Sequence, residues 1–136
     1  MSEAESVTLL RAAEEHDRAG RETDAIALYE RAIDLGLPVD EIAGALHGLG
    51  STYRALGRYD EAYRILHHGK QRFPDDASFG PFLAMTLYNL GRPKEAVSLL
   101  LDVLLATTSS DEISRYQDAI RLYASDLDRR WGEGQR

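Results

Sequence analysis

The chain has 136 residues and a formal net charge of −7, with 43% hydrophobic residues and no cysteine. These values predict one globular domain rather than a disordered chain. The acidic balance argues against nucleic-acid binding, which needs clustered Lys and Arg, and a chain without cysteine has no disulfide or thiol nucleophile. The acidic N-terminus lacks the apolar stretch of a signal peptide, and the most apolar run, 97–106, is too short to span a bilayer. We therefore expect a cytoplasmic protein that does not bind membranes.

Apolar residues recur with the period of an α-helix along the chain, and no segment alternates like a β-strand. Gly20 and Gly57 end two predicted helices as C-terminal glycines, and Pro74 stops another because the residue before proline leaves the helical region. Ser109 and Glu112 have the spacing of a capping box at the start of the last helix. The predicted helices lie at about 7–19, 22–35, 40–56, 59–72, 77–90, 93–106 and 110–131.

One short sequence motif occurs three times, each time at the turn between the two helices of a predicted pair. Gly and Ala stand five residues apart in 20–25, 57–62 and 91–96, and the glycines are separated by 37 and then 34 residues. A period near 34 residues is typical of helix-turn-helix repeats. The three extra residues of the first interval fall in the loop at 36–39, where an insertion has a small entropic cost. The first six helices therefore form three units in one register.

The middle unit resembles a tetratricopeptide repeat. The family pattern W-x2-L-G-x2-Y, A-x3-F and P is matched, with leucine in place of W and F, by Leu46, Leu49, Gly50, Tyr53, Ala62, Leu66 and Pro74. The outer units match more weakly, at Leu9, Ala12, Ala13, His16, Ala25 and Tyr29 and at Gly80, Leu83, Ala84, Leu87, Ala96 and Leu100. A small bacterial subfamily of these repeats, with no established biochemical role but a suggested self-association, is similar at 73–76, 82–84, 89–92, 115–116 and 122–124.

The resemblance implies an all-α fold, a right-handed solenoid of three helix-turn-helix units with a C-terminal capping helix and about seven helices in all. Units must stack because one helix pair cannot bury its apolar face alone. We expect a single domain over 1–131 and a disordered tail at 132–136. The expected units lie at about 6–39, 43–76 and 77–108, and the terminal helix at about 110–131.

In the resembled fold, the first helix of each unit lines a concave groove. Positions that point away from the predicted core give the candidate contacts Leu10, Glu14, Asp17, Gly44, His47, Gly48, Ser51, Arg54, Phe82, Met85, Tyr88 and Asn89. Gly44, Gly48 and Ser51 form a strip of nearly bare backbone, at a cost of about 1 kcal/mol for each mid-helix glycine. Either a docked peptide or a neighbouring helix of the same chain needs that room. Phe82, Met85 and Tyr88 form an apolar patch that suits a partner segment or is covered by the terminal helix.

The terminal helix carries an apolar stripe on an otherwise charged surface, formed by Ile113, Tyr116, Ile120, Tyr123, Leu127 and Trp131. One explanation is a cap over the exposed end of the third unit, which any finite solenoid requires. The other is a seam for a second copy of the chain, because the spacing also fits heptads. In that case the self-association contacts are Tyr116, Ile120, Tyr123, Leu127 and Trp131.

No pattern for catalysis or cofactor binding occurs in the sequence. His67 and His68 are adjacent and point about 100° apart on a helix, and His16 and His47 have no apparent third ligand, so we expect no metal site. We predict a protein that is not an enzyme, needs no cofactor and binds a peptide or helix of an unidentified protein partner in the groove. The alternative is a homodimer that uses the groove or the terminal helix, and a small chaperone is the third hypothesis.

Overall fold

The computed structural model describes residues 2–132 of the chain. Within that range the structure is all-helical and contains no β-strand, as predicted. The helices are α1 (Ser2–Arg18), α2 (Glu22–Leu35), α3 (Val39–Ala55), α4 (Tyr59–Arg72), α5 (Phe79–Asn89), α6 (Pro93–Thr107), α7 (Asp111–Ser114) and α8 (Gln117–Ser125). Of the tail predicted at 132–136, residues 133–136 lie outside the described part of the chain.

Three turns of nearly equal geometry connect the two helices of each unit. Gly20, Gly57 and Gly91 have φ angles of +77°, +76° and +76°, a left-handed conformation that glycine adopts without a Cβ clash. In each turn the N–H of the arginine after the glycine donates to the carbonyl five residues earlier, over 2.8 Å in the first turn and 2.9 Å in the others. This Schellman closure ends the first helix and sets the direction of the second.

The six long helices form three pairs, α1 with α2, α3 with α4 and α5 with α6. Consecutive pairs join through α2 and α3 and through α4 and α5, and the first helices also touch one another. The helices α1, α3 and α5 therefore form one layer and α2, α4 and α6 the other. This is the stacking expected of a solenoid, in which each unit contacts only its neighbours.

Small residues allow the two helices of a unit to approach closely. Ala25, Ala62 and Ala96 are at most 5% exposed, and they belong to one continuous core. Leu66 lies directly over Gly50, where an added Cβ would lie 2.5 Å from Cγ of Leu66. A larger residue at such a site would force the pair apart, because interiors are packed at crystal density.

The terminal segment differs from the single helix predicted for 110–131. Ser110, rather than Ser109, caps α7, and its hydroxyl accepts a hydrogen bond from the Ile113 N–H over 3.2 Å. The helix ends after one turn, and α8 begins at Gln117 and ends at Ser125. The stripe at Ile113, Tyr116 and Ile120 is therefore divided between two short helices.

Packing of α8 is confined largely to α6. The Ser98 hydroxyl donates to the Ala124 carbonyl over 2.8 Å, and Lys94 forms an ion pair with Asp128. Ala124 is the one residue of α8 that is buried. The terminal segment is thus attached through a small contact compared with those that join the three units.

Candidate functional site

The glycine strip on α3 has one open and one filled position. Gly44 is exposed, and a Cβ added there would have no neighbouring atom within 4 Å. At Gly48 an added Cβ would lie 2.6 Å from the Tyr29 hydroxyl oxygen and 2.7 Å from Cζ of its ring. Ser51 is half-buried, and its hydroxyl donates to the Gly48 carbonyl over 3.2 Å. A neighbouring helix of the chain therefore occupies the room at Gly48, whereas Gly44 and Ser51 leave an open surface.

A hydrogen-bond network below this strip joins the first two units. The Tyr29 hydroxyl donates to Oδ2 of Asp17 over 3.1 Å, and the Thr52 hydroxyl lies 3.2 Å from the same oxygen. Burial raises the pKa of the Tyr29 phenol above its ordinary value, and the negative charge of Asp17 adds to this effect. The sequence predicts that Asp17 contacts a ligand in the groove. In the structure its carboxylate instead contacts Tyr29 and Thr52, at the interface between the first two units.

On α1, the structure contradicts one predicted groove contact. Leu10 is 0% exposed and belongs to the core, so the prediction that it contacts a ligand is wrong. It occupies the same repeat position as His47, a position that faces the next unit rather than the groove. Glu14 is half-buried and pairs with Arg11 over 3.1 Å, and Arg11 also reaches Glu41 on α3.

His47 connects α3 to α5 through aromatic contacts. Its ring centroid lies 4.5 Å from that of Phe82, edge to face, and 5.7 Å from that of Phe79. Within residues 2–132, its Nε2 atom is buried and has no hydrogen-bond partner. His47 and Phe82 therefore belong mainly to the joint between the second and third units.

The predicted apolar patch on α5 is divided by the structure. Phe82 packs against His47 and Met85 is half-buried, whereas Tyr88 is 67% exposed. Tyr88 occupies the repeat position of Arg54, whose Nε donates to Oδ1 of Asn89 in the next unit over 2.8 Å. Within residues 2–132 no further pair of long helices follows α6, so Tyr88 lies at the open end of the third unit.

The remaining concave surface is formed by a small set of residues on the first helices. It consists of Gly44, Ser51, Met85 and Asn89, to which the repeat register adds two residues that sequence reasoning missed. Arg18 occupies the repeat position of Asn89, and Ser78 occupies that of Gly44. Arg18 and Ser78 are both exposed. Comparing equivalent positions in all three units would have found them. This concave floor combines bare backbone, a flexible apolar side chain and polar groups at one end.

The candidate self-association residues are not brought together in one seam. Tyr116, Tyr123 and Trp131 are 61%, 51% and 52% exposed, Leu127 is also exposed, and Ile120 is half-buried. Tyr123 meets the edge of Trp131 at 6.4 Å between ring centroids. Tyr116 directly precedes α8, which carries Ile120 and Tyr123, whereas Leu127 and Trp131 follow the end of α8 at Ser125.

An open pocket of about 500 Å³, which the sequence did not predict, lies between α4 and α6 on the outer side. Its polar lining mixes charges of both signs, from Lys70, Lys94, Asp102 and Asp126, beside Tyr63 and His67. Across the described residues, no three His, Cys, Asp or Glu side chains are grouped so as to hold a metal ion. Nor does any described helix combine the length and apolar character needed to cross a membrane.

The family model described as Tetratrico peptide repeat matches residues 6–127. Because this match spans most of the chain, the protein belongs to the tetratricopeptide repeat family. Repeats of this family generally mediate protein–protein interaction and typically act as non-enzymatic scaffolds. The match extends through α8, so the terminal segment belongs to the family module. A comparison with curated proteins gives no match.

Proposed function

We propose that the chain binds a helix or an extended peptide of another protein on the concave floor of α1, α3 and α5, without catalysing a reaction. The main support for this proposal is the open space at Gly44, where an added Cβ would have no neighbouring atom within 4 Å. A mid-helix glycine costs about 1 kcal/mol relative to alanine, and no described neighbour within the chain uses the room that Gly44 leaves. A partner backbone that approaches α3 closely would use it.

The chemistry of the floor suits an amphipathic segment. Gly44 and Ser51 present backbone and a small hydroxyl, so a partner can lie close to the helix axis. Met85 supplies a flexible, polarizable contact for apolar side chains. The Arg54–Asn89 pair adds donors and acceptors at the far end of the floor. These features match the binding of a helix or peptide in a groove, where apolar anchors supply affinity and polar groups set direction.

The test is a peptide-display selection against the purified protein, followed by binding measurements on single variants. Gly44→Gln places a long side chain in the open space without a clash in the chain. Ala27→Gln is the matched control, because Ala27 is an exposed helical residue on the second-helix layer. We expect selected peptides to lose at least tenfold in affinity for Gly44→Gln and to bind Ala27→Gln as well as the unmodified protein, since about 1.4 kcal/mol equals one factor of ten. Equal affinity for both variants would refute the site.

A homodimer is the second candidate function, and the exposed side chains of Leu122, Tyr123 and Trp131 favour it. Light scattering coupled to size-exclusion chromatography measures the molar mass over a wide concentration range. If the dimer is the function, the mass is twice that of the chain and Tyr123→Asp returns it to the monomer value. If it forms through the groove, Gly44→Gln rather than Tyr123→Asp dissociates it. A monomer at all concentrations would reject this alternative.

We place the protein in the cytoplasm as part of the proposal. An acidic chain without cysteine suits a reducing compartment and gives no basic surface for nucleic acid. Fractionation of cells that express the full natural protein, followed by immunodetection, tests this placement; recovery in the membrane or extracellular fraction would contradict it.

A further inference from the structure

The end of the solenoid after the third unit is open, and its surface repeats the joints between units. Leu100 occupies the same repeat position as Leu66 and Tyr29. Those two residues are 0% and 2% exposed, and Tyr29 lies against Gly48 of the next unit, whereas Leu100 is 45% exposed. Val97 and Leu104, one turn to either side, are 45% and 37% exposed. With Tyr88 they form what we call the end face. No charged residue of α6 lies on this side, since Lys94, Glu95 and Asp102 share the opposite half of the helix.

The terminal segment covers a different face of α6. It contacts Ser98, whose equivalents Ala27 and Arg64 are exposed on α2 and α4. Leu101 and Leu105 on the same side are half-buried. On α2 these two positions hold Glu30 and Asp34, which face solvent. The outer face of α6 is thus apolar enough to hold α8, but the end face remains uncovered.

The sequence of the terminal segment has the register of a further first helix. In the repeat register, Ile113 corresponds to Phe79 and Ile120 to Thr86. Phe79 and Thr86 are 0% exposed, and Phe79 lies against Gly69 of the preceding unit. Tyr116 corresponds to Gly48, which lies against Tyr29 of the preceding unit. The apolar stripe of the terminal segment therefore stands at the positions that would meet the end face.

Nothing in the sequence requires the break between α7 and α8. Residues 111–125 contain neither glycine nor proline, which are the usual causes of helix interruption. A continuous helix would add the hydrogen bond from the Gln117 N–H to the Ile113 carbonyl. It would also carry Ile113, Tyr116 and Ile120 on one face.

We propose that residues 111–125 exchange between two positions. In one, the position described above, α8 lies on the outer face of α6 and the end face is open. In the other, the segment is one continuous helix that covers Leu100 and its neighbours as a first helix does in the other joints. Moving from one to the other exposes Leu101 and Leu105 while it buries Leu100 and Val97. Each position buries apolar side chains that the other exposes, and the exchange replaces one apolar contact of α6 by another.

The absence of cysteine allows a direct test by thiol labelling. Leu100→Cys reports on the end face, and Leu122→Cys is the matched control. The two leucines are 45% and 47% exposed, and Leu122 lies on the side of the helix opposite the apolar stripe of the terminal segment. Maleimide labelling rates are measured on each variant and divided by the rate in denaturant. We expect Leu100→Cys to react about twofold or more slowly than the control, which corresponds to at least half of the molecules with a covered end face.

A second substitution identifies what covers the end face. Tyr116→Asp places a carboxylate where Tyr116 is 61% exposed in the open position but against apolar side chains in the covered one, so it should raise the Leu100→Cys rate to that of the control. Equal rates in the parent variants would overturn the proposal. If Leu100→Cys reacts slowly but faster on dilution of the protein, a second copy of the chain covers the end face, and this result would also overturn the proposal. Gln117→Pro is a second variant, used only if circular dichroism shows that it folds, because proline at this position prevents a continuous helix. A Leu100→Cys rate that Tyr116→Asp leaves unchanged would also overturn the proposal.

Discussion

The hydroxyl of Tyr29 lies over Gly48 so closely that a Cβ at Gly48 would come within 2.6 Å of the phenolic oxygen. The Tyr29 ring is 2% exposed and its hydroxyl is held by Asp17 over 3.1 Å. The ring therefore has little freedom to move aside. This contact joins the first unit to the second and explains why α3 has glycine at this position.

Gly48→Ala should destabilise the fold, although alanine is the better helix former. The clash with Tyr29 costs about 1–3 kcal/mol, as overpacking of a core does, and outweighs a gain of about 1 kcal/mol in helix propensity. Gly44→Ala, one turn earlier in open space, should instead gain up to about 1 kcal/mol. Urea unfolding of both variants measures these free energies. Stabilisation by Gly48→Ala, as expected for Gly44→Ala, would show that Tyr29 does not restrict Gly48.

Tyr29→Phe should lower the stability at neutral pH and reduce its loss at high pH. At neutral pH the variant leaves Asp17 without one donor, at a cost of about 1 kcal/mol. The folded-state pKa of Tyr29 is raised above the ordinary value of 10.0. Above pH 10.0 the Tyr29 phenol loses its proton in the unfolded chain but keeps it in the folded chain. The stability of the unmodified protein therefore falls as the pH rises. The fall between about pH 9 and pH 11 should be smaller in Tyr29→Phe, and parallel curves for the two proteins would contradict this assignment.

His47→Leu should stabilise the protein. The Nε2 atom of His47 is buried without a partner among residues 2–132, and an unsatisfied buried polar atom costs about 1–3 kcal/mol. Leucine has a similar volume and keeps the contact with Phe82 apolar. Thermal unfolding of His47→Leu should give a higher midpoint than the parent. A lower midpoint would mean that the histidine ring contributes more through its aromatic contacts than its buried nitrogen costs.

Leu10→Ala should destabilise the chain by about 2–5 kcal/mol, the range for truncation of a buried leucine. Val39→Ala is the control, because Val39 is 75% exposed and should change stability by less than about 0.5 kcal/mol. Chemical denaturation compares the two. If Leu10→Ala were as mild as Val39→Ala and weakened peptide binding, Leu10 would belong to the groove after all.

The fold was predictable from the sequence because its signals are local and repeated. Gly20, Gly57 and Gly91 mark equivalent turns, and the helical period between them fixes which residues are buried. The register of the units then follows from the spacing alone. The extent of the terminal helix was not predictable in this way, since the stripe from Ile113 to Trp131 is compatible with one helix and residues 111–125 contain no glycine or proline that would mark the break.

The candidate site was predictable in part. Gly44 and Ser51 lie on the open surface as the helical pattern indicates, but Leu10 and His47 share a position that faces the next unit. A single helix shows which side points away from its own partner, and it does not show what the following unit covers. The openness of Val97 and Leu100 likewise depends on where α8 lies, which no local pattern specifies.

Nuclear magnetic resonance shows, residue by residue, whether a partner segment binds on the concave floor. A peptide from the display selection is titrated into the isotope-labelled protein, and backbone amide shifts are followed. We expect the largest shifts at Gly44, Ser51 and Met85 and their loss in Gly44→Gln. Shifts confined to Ser98, Ala124 and the rest of the α6–α8 contact would contradict this binding site.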